Sequence, residues 1–283
     1  MITLQHTLVT LLALNGDEEQ LRKEVPYVLL PDAIRRYLGP RQYSHFESSY
    51  DGKDVSWLKY PEDTKSMTKE SLAGVEKHMV EEVKPCVLGE KTIISAFDEH
   101  NSHLNPIYFA GVKKHLTQDY IFDKFVRKNI DCSHMYEDKF IFKGQEYDGK
   151  GIRKVIADFE AYGVYLLAYM IHEEFGITVN QEWFDKNVKT QLDKHYSADL
   201  SEGTYGYMKI PEEINKWITE HDWSHIGECS LTNADYLEMY QSVIDNMYLI
   251  DSERLVREQE LEASSNGSKK NDDEPSGPIG PVC

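Results

Sequence analysis

His115 and Asp119 stand four residues apart in a segment, 106–130, whose stripe continues through Tyr108, Gly111, Phe122 and Val126. Steps of three and four put all six on one face of a helix, the face expected to meet the core. An imidazole and a carboxylate one turn apart can both reach a single metal ion, and nitrogen and oxygen donors suit zinc. The same pair can also close a core through a plain His–Asp hydrogen bond. Either way the carboxylate needs a partner, because a buried charge is costly unless it is paired or coordinates a cation.

Three further residues widen the set. His6 interrupts an otherwise apolar N-terminal run, where a polar side chain needs a partner; a hydrogen bond to a carbonyl would also serve. Asp32, in Leu30-Pro31-Asp32-Ala33, sits at a helix start, where a carboxylate is also favoured simply by the helix dipole. His45, in Tyr43-Ser44-His45-Phe46, falls in a loop and can equally be exposed. Together His6, Asp32, His45, His115 and Asp119 make a donor set typical of catalytic zinc.

The elements that must position these residues are mostly helical. Residues 3–14 are almost continuously apolar, the pattern of a helix buried on all sides. A helix over 17–24 follows, and Pro31 opens a short one through 38. Gly39-Pro40, Asp51-Gly52 and Tyr60-Pro61 make 39–66 mostly loop, and a helix is predicted over 68–83. Asn105 and Pro106 start the helix over 106–130. Residues 139–148 read as a hairpin turning at Lys143-Gly144. Helices then run over 152–175, stopped by Gly176, and over 180–195, 211–220 and 232–262. From Ala263 the composition is too polar to order itself. The expectation is an all-α, multi-helix domain over 1–262 with a small β-hairpin insertion and a disordered tail over 263–283.

The order Gln5-His6, Pro31-Asp32, Ser44-His45 and Gly111-x3-His115-x3-Asp119 resembles that of zinc-dependent phospholipase C and its S1/P1-nuclease relatives, over roughly residues 1–175. The resemblance implies a phospholipase C/P1 nuclease-like fold. It also implies a zinc-activated water, with Asp32 orienting or deprotonating it and His6, Asp32, His45, His115 and Asp119 holding the ions. Tyr37, Tyr43 and Trp57 can wall a substrate, although aromatic residues are more often core. Fuller members of the family bind three zinc ions through an N-terminal tryptophan amine, a further histidine and a later His-x3-Glu pair. Here Met1 stands first and no His-x3-Glu follows: His172 has Gly176 four residues on. One or two zinc ions are therefore expected. Gly111 has a separate reading, as a small residue that lets another helix approach the metal-bearing face.

Composition narrows the substrate. The 283 residues carry 31 Lys and Arg against 49 Asp and Glu, a net charge of −18. Such a surface repels extended nucleic acid at long range, whereas a small phosphoester or phospholipid headgroup is compatible with a local metal field. Cys86, Cys132, Cys229 and Cys283 form no paired motif, which fits a reducing, cytoplasmic setting. The longest uncharged apolar run, 162–171, is too short to span a bilayer, which needs about 20 residues.

Other constellations are weaker. His221 and His225 form an i,i+4 pair where a helix should end, and the helix dipole alone accounts for them. His100-x2-His103 reads as a solvated pair. Asp51-Gly52 and Asp148-Gly149 are turn signals without EF-hand or phosphate-loop spacing. The functional expectation is a metal-dependent phosphoesterase. A non-catalytic, metal-stabilised binding protein is the alternative, and an HD-type phosphohydrolase, limited to the His221-Asp222 dipeptide, comes third.

Overall fold

The structure, a computed structural model, describes residues 1–38, 55–73, 77–80, 90–134, 137–228 and 233–268. Helix dominates, with one small three-stranded antiparallel sheet and one two-stranded sheet. Among the described residues, no helix is long and apolar enough to cross a membrane.

Helix α1 (Thr3–Ala13) is buried along nearly its whole length. Leu4, Leu8, Val9 and Leu11 supply the apolar surface, and two of its threonines bond back to the helix itself. The Thr7 and Thr10 hydroxyls donate to the carbonyls of Thr3 and His6, at 3.1 and 2.7 Å. Asp17 caps α2 (Glu18–Val28) by accepting the Gln20 N–H at 2.9 Å. Helix α3 (Leu30–Leu38) follows at once, with Asp32 in its first turn.

The predicted 68–83 helix is a correction. Among the described residues of that stretch, only Lys69–Ala73 is helical (α4), and Lys77–Val80 instead forms a strand, β2, paired antiparallel with β1 (Val55–Leu58). His78, Met79 and Val80 stand opposite Trp57, Ser56 and Val55, a long-range pairing that local periodicity cannot reveal. Helix α5 (Glu90–Asn101) was not expected at all.

Helix α6 (Pro106–Asn129) starts as expected: the Asn105 side chain accepts the Tyr108 N–H at 3.0 Å and Pro106 takes the first turn. It runs straight into β3 (Ile130–Asp131), which pairs with β4 (Phe140–Phe142), itself paired with β5 (Gln145–Tyr147). The β4–β5 hairpin turns at Lys143-Gly144, both at positive φ (50° and 77°), as a two-residue turn of this hand requires. Helix α7 (Gly149–Phe175) is capped by Asp148 and ended by Gly176 in the left-handed region, at φ 67°.

The 180–195 segment is helical with a wide turn inside it. Helix α8 (Gln181–Phe184) passes through a π-helical turn (Asp185–Lys189) into α9 (Thr190–His195). Helix α10 (Ala198–Tyr205) was not foreseen, while α11 (Glu212–Glu220) lies where expected. Helix α12 (Asn233–Ser268) continues past residue 262, and residues 269–283 lie outside the described part.

Helix α6 is the centre of the packing, with α2 against one side and α12 along another, while α1 packs on α7, α12 and α2. Two features of α6 hold these neighbours. A Cβ at Gly111 would come within 2.5 Å of the Tyr27 Cβ, so the absent side chain is what lets α2 lie this close. Next to it, the buried Lys114 ammonium pairs with the equally buried Glu24 of α2 at 2.5 Å and with Asp251 of α12 at 2.7 Å.

Gly111→Ala is expected to lower unfolding free energy by about 1–3 kcal/mol through overpacking, read by urea denaturation. Lys114→Met strands Glu24 without its cation and should cost about 3–5 kcal/mol. A neutral result for Lys114→Met would mean that the pair adds nothing to stability.

Candidate metal centre

Three helices bring the candidate ligands together. His6 comes from the second turn of α1, Asp32 from the first turn of α3, and His115 and Asp119 from the middle of α6. His6, Asp32 and His115 each offer a ligand atom, and these atoms all lie within 4.8 Å of one another. Both histidines are fully buried, with their rings stacked at 4.0 Å between centroids, and Asp32 is half-buried.

Asp119 spans the two imidazoles. Its Oδ1 lies 3.2 Å from His6 Nε2 and its Oδ2 lies 3.4 Å from His115 Nε2. The Met1 amino group donates to the same Oδ1 at 2.7 Å, placing a second nitrogen beside the pair. Asp32 Oδ2 accepts from the Thr3 hydroxyl at 3.3 Å. The Asp32 charge also reaches Tyr60 and Tyr196, whose phenols are pushed well above the ordinary tyrosine range, first by burial and then by that carboxylate.

A residue that the sequence pattern did not single out fixes the chemistry of His6. Gln118 donates its amide N–H groups to the Thr10 hydroxyl at 3.1 Å and to Met247 Sδ at 2.9 Å. Its carbonyl Oε1 is thereby turned towards His6 Nδ1, 2.5 Å away. An acceptor there makes Nδ1 the protonated nitrogen and leaves the Nε2 lone pair facing the cluster. This is the outer-shell contact that commonly sets the tautomer of a metal-binding histidine. Gln118 follows His115 by three residues, so helical spacing was the available signal.

Burial and the neighbouring His115 lower the His6 pKa to about 4, outweighing the attraction of Asp119. His6 is therefore neutral at physiological pH. Its Nε2 lone pair and the Asp119 Oδ1 are two acceptors 3.2 Å apart, and His6 Nε2 makes no hydrogen bond. The Met1 ammonium, 2.7 Å from that Oδ1, is the cation that keeps these two acceptors from repelling. His6, Asp32 and His115 could together hold a metal ion through nitrogen and oxygen donors.

The remaining candidates divide. His45 and Tyr43 lie outside the described residues. Of Trp57 only the backbone, on β1, is described, and the Tyr37 hydroxyl is engaged with the Asp199 carbonyl at 2.7 Å. Among the described residues, none of His100, His103, His221 and His225 belongs to the cluster. His103 Nε2 is 2.9 Å from the Tyr60 carbonyl, and His225 is paired with Glu228 at 2.8 Å. His221 ends α11 at φ 55° and packs on His172, while Asp222 accepts from Ser224, so the His221-Asp222 dipeptide forms a local turn. No family model, curated protein or solved structure matches the chain.

The depressed His6 pKa gives stability a defined pH dependence. The unfolded imidazole, with its ordinary pKa near 6.5, takes up a proton between pH 6.5 and 4 while the folded one does not. Stability therefore falls as the pH drops through that window and levels off below it. In chelator-treated protein, the wild type should lose about 3 kcal/mol more than His6→Asn between pH 7 and 4. Equal losses in urea titrations would show that His6 is not held neutral.

Proposed function

We propose that the chain is a metal-dependent phosphoesterase of the phospholipase C/P1-nuclease type, with zinc in the His6–Asp32–His115 cluster. The observation that carries this reading is the meeting of those three ligands from three separate helices within 4.8 Å. Asp119 supports both imidazoles, and Gln118 holds His6 in the tautomer that presents Nε2. The family resemblance would add His45, which lies outside the described residues, as a further ligand.

When bound, zinc would polarise a phosphoryl oxygen and lower the pKa of water towards neutrality. Asp32 is the half-buried carboxylate of the group, beside two sealed histidines. It is placed to orient a water and to take its proton on a carboxylate oxygen. Thr3 and the Tyr60 and Tyr196 phenols, which stay protonated, surround that carboxylate without adding charge. The substrate class is a small phosphoester, such as a phospholipid headgroup, because a net charge of −18 repels extended nucleic acid.

Full burial of His6 and His115 favours a second reading, in which the metal stabilises the helix assembly without turnover. Elemental analysis with hydrolysis of a chromogenic phosphodiester separates the two. The catalytic reading expects one or two zinc ions per chain, and an Asp32→Asn variant that loses at least about a hundredfold in rate even when saturated with zinc. Zinc without turnover, with His115→Ala mainly lowering Tm, supports the structural reading. Protein that binds no divalent metal rules out both.

A further inference from the structure

In a chain with 49 acidic against 31 basic residues, basic side chains should find acidic neighbours, as Lys113 and Lys114 do. A cleft of about 450 Å³ between α2, the start of α6 and the end of α9 departs from that pattern. Arg22 and Lys23 line it from α2, and Lys194 and His195 from the last turn of α9. Glu19 also lines it, but is already paired with Lys23 at 3.0 Å. Neither Arg22 nor Lys194 has a carboxylate partner among the described residues.

Arg22 is held in place. Its Nη1 donates to Asn187 Oδ1 at 2.9 Å, and Asn187 is buried in the π-helical turn with its amide anchored on the Trp183 carbonyl at 3.1 Å. Wide turns of this kind often mark functional sites. The other guanidinium N–H groups remain available to a ligand. Asn105 and Ile107 line the cleft at the positive end of the 24-residue helix α6. Pro106 has no N–H, Asn105 caps Tyr108, and the Ile107 N–H has no acceptor within the helix. Tyr27 completes one wall, its ring stacked on Tyr108 at 4.8 Å and edge-on to His195 at 6.1 Å.

We propose that this cleft binds a small phosphate-bearing molecule, its oxygens held by Arg22, Lys194 and the start of α6 and its organic part against Tyr27. Donors from three elements suit a group with three peripheral oxygens better than the two of a carboxylate. Ile107 precedes His115 by eight residues, about 12 Å along the helix, so the cleft is distinct from the metal centre. The site stands whether or not the metal centre is catalytic.

The test is calorimetric titration of inorganic phosphate and phenyl phosphate into the chelator-treated full chain at fixed ionic strength. Saturable binding is expected, tighter for phenyl phosphate, and weakened about tenfold by Arg22→Ala. His115→Ala should leave it unchanged. Lys194→Ala, an exposed change, gives an independent arm with a similar loss if Arg22→Ala impairs folding. Binding that is indifferent to both variants, or that His115→Ala abolishes, overturns the proposal, as does the absence of saturable binding. Phosphatidic-acid vesicles that bind through Arg22 while the soluble ligands do not would overturn it in favour of a lipid surface.

Discussion

Helix α6 carries Lys113, Lys114, His115, Thr117, Gln118 and Asp119 in nearly unbroken sequence, and all of them are buried. A helix covered on every side cannot turn its polar residues to water, so each must find a partner on whichever neighbour it faces. Those partners lie on different elements. Lys113 reaches Asp98 of α5 and Glu253 of α12, and Lys114 reaches Glu24 of α2 and Asp251 of α12. Gln118 reaches α1 and α12, and His115 and Asp119 meet His6. The arrangement of α1, α2, α5 and α12 around α6 is thus also the arrangement of partners for a row of buried polar groups.

This constraint also orients the side chains of the candidate metal centre. The His6 ring is oriented by Gln118, which is fixed by Thr10 and Met247, so its tautomer follows from contacts on two other helices. Asp119 faces both imidazoles and the Met1 ammonium, while burial and the neighbouring His115 keep His6 neutral. A histidine whose pKa is shifted by burial beside other titratable groups is a familiar property of functional sites. The cleft beside Arg22 works differently: it is open, and only its guanidinium is anchored on a buried group.

The ligand residues on α1 and α6 were legible because a polar side chain in an apolar helix is an anomaly at fixed spacing. Position 6 breaks a buried run, and 115 and 119 share a face, so both facts follow from period alone. Gly111 was legible for the same reason, and the structure identifies α2, through Tyr27, as the helix that approaches it. Gln118 was not, because an amide three residues from a histidine is common on exposed faces too. The β1–β2 pairing was hidden for a related reason, since strand partners lie far apart in sequence.

By itself the sequence determined the mainly helical class, the caps at Asn105 and Gly176, the Lys143-Gly144 hairpin turn and the anomalous residues His6, His115 and Asp119. These are local matters of backbone preference, periodicity and the cost of burying charge. Only the tertiary structure decided that Asp32 lies with two histidines, that His221 and His225 do not, and that Arg22 has no acid beside it among the described residues. Such convergence depends on how whole helices pack, and packing is set by shape and buried polar pairing summed over many residues.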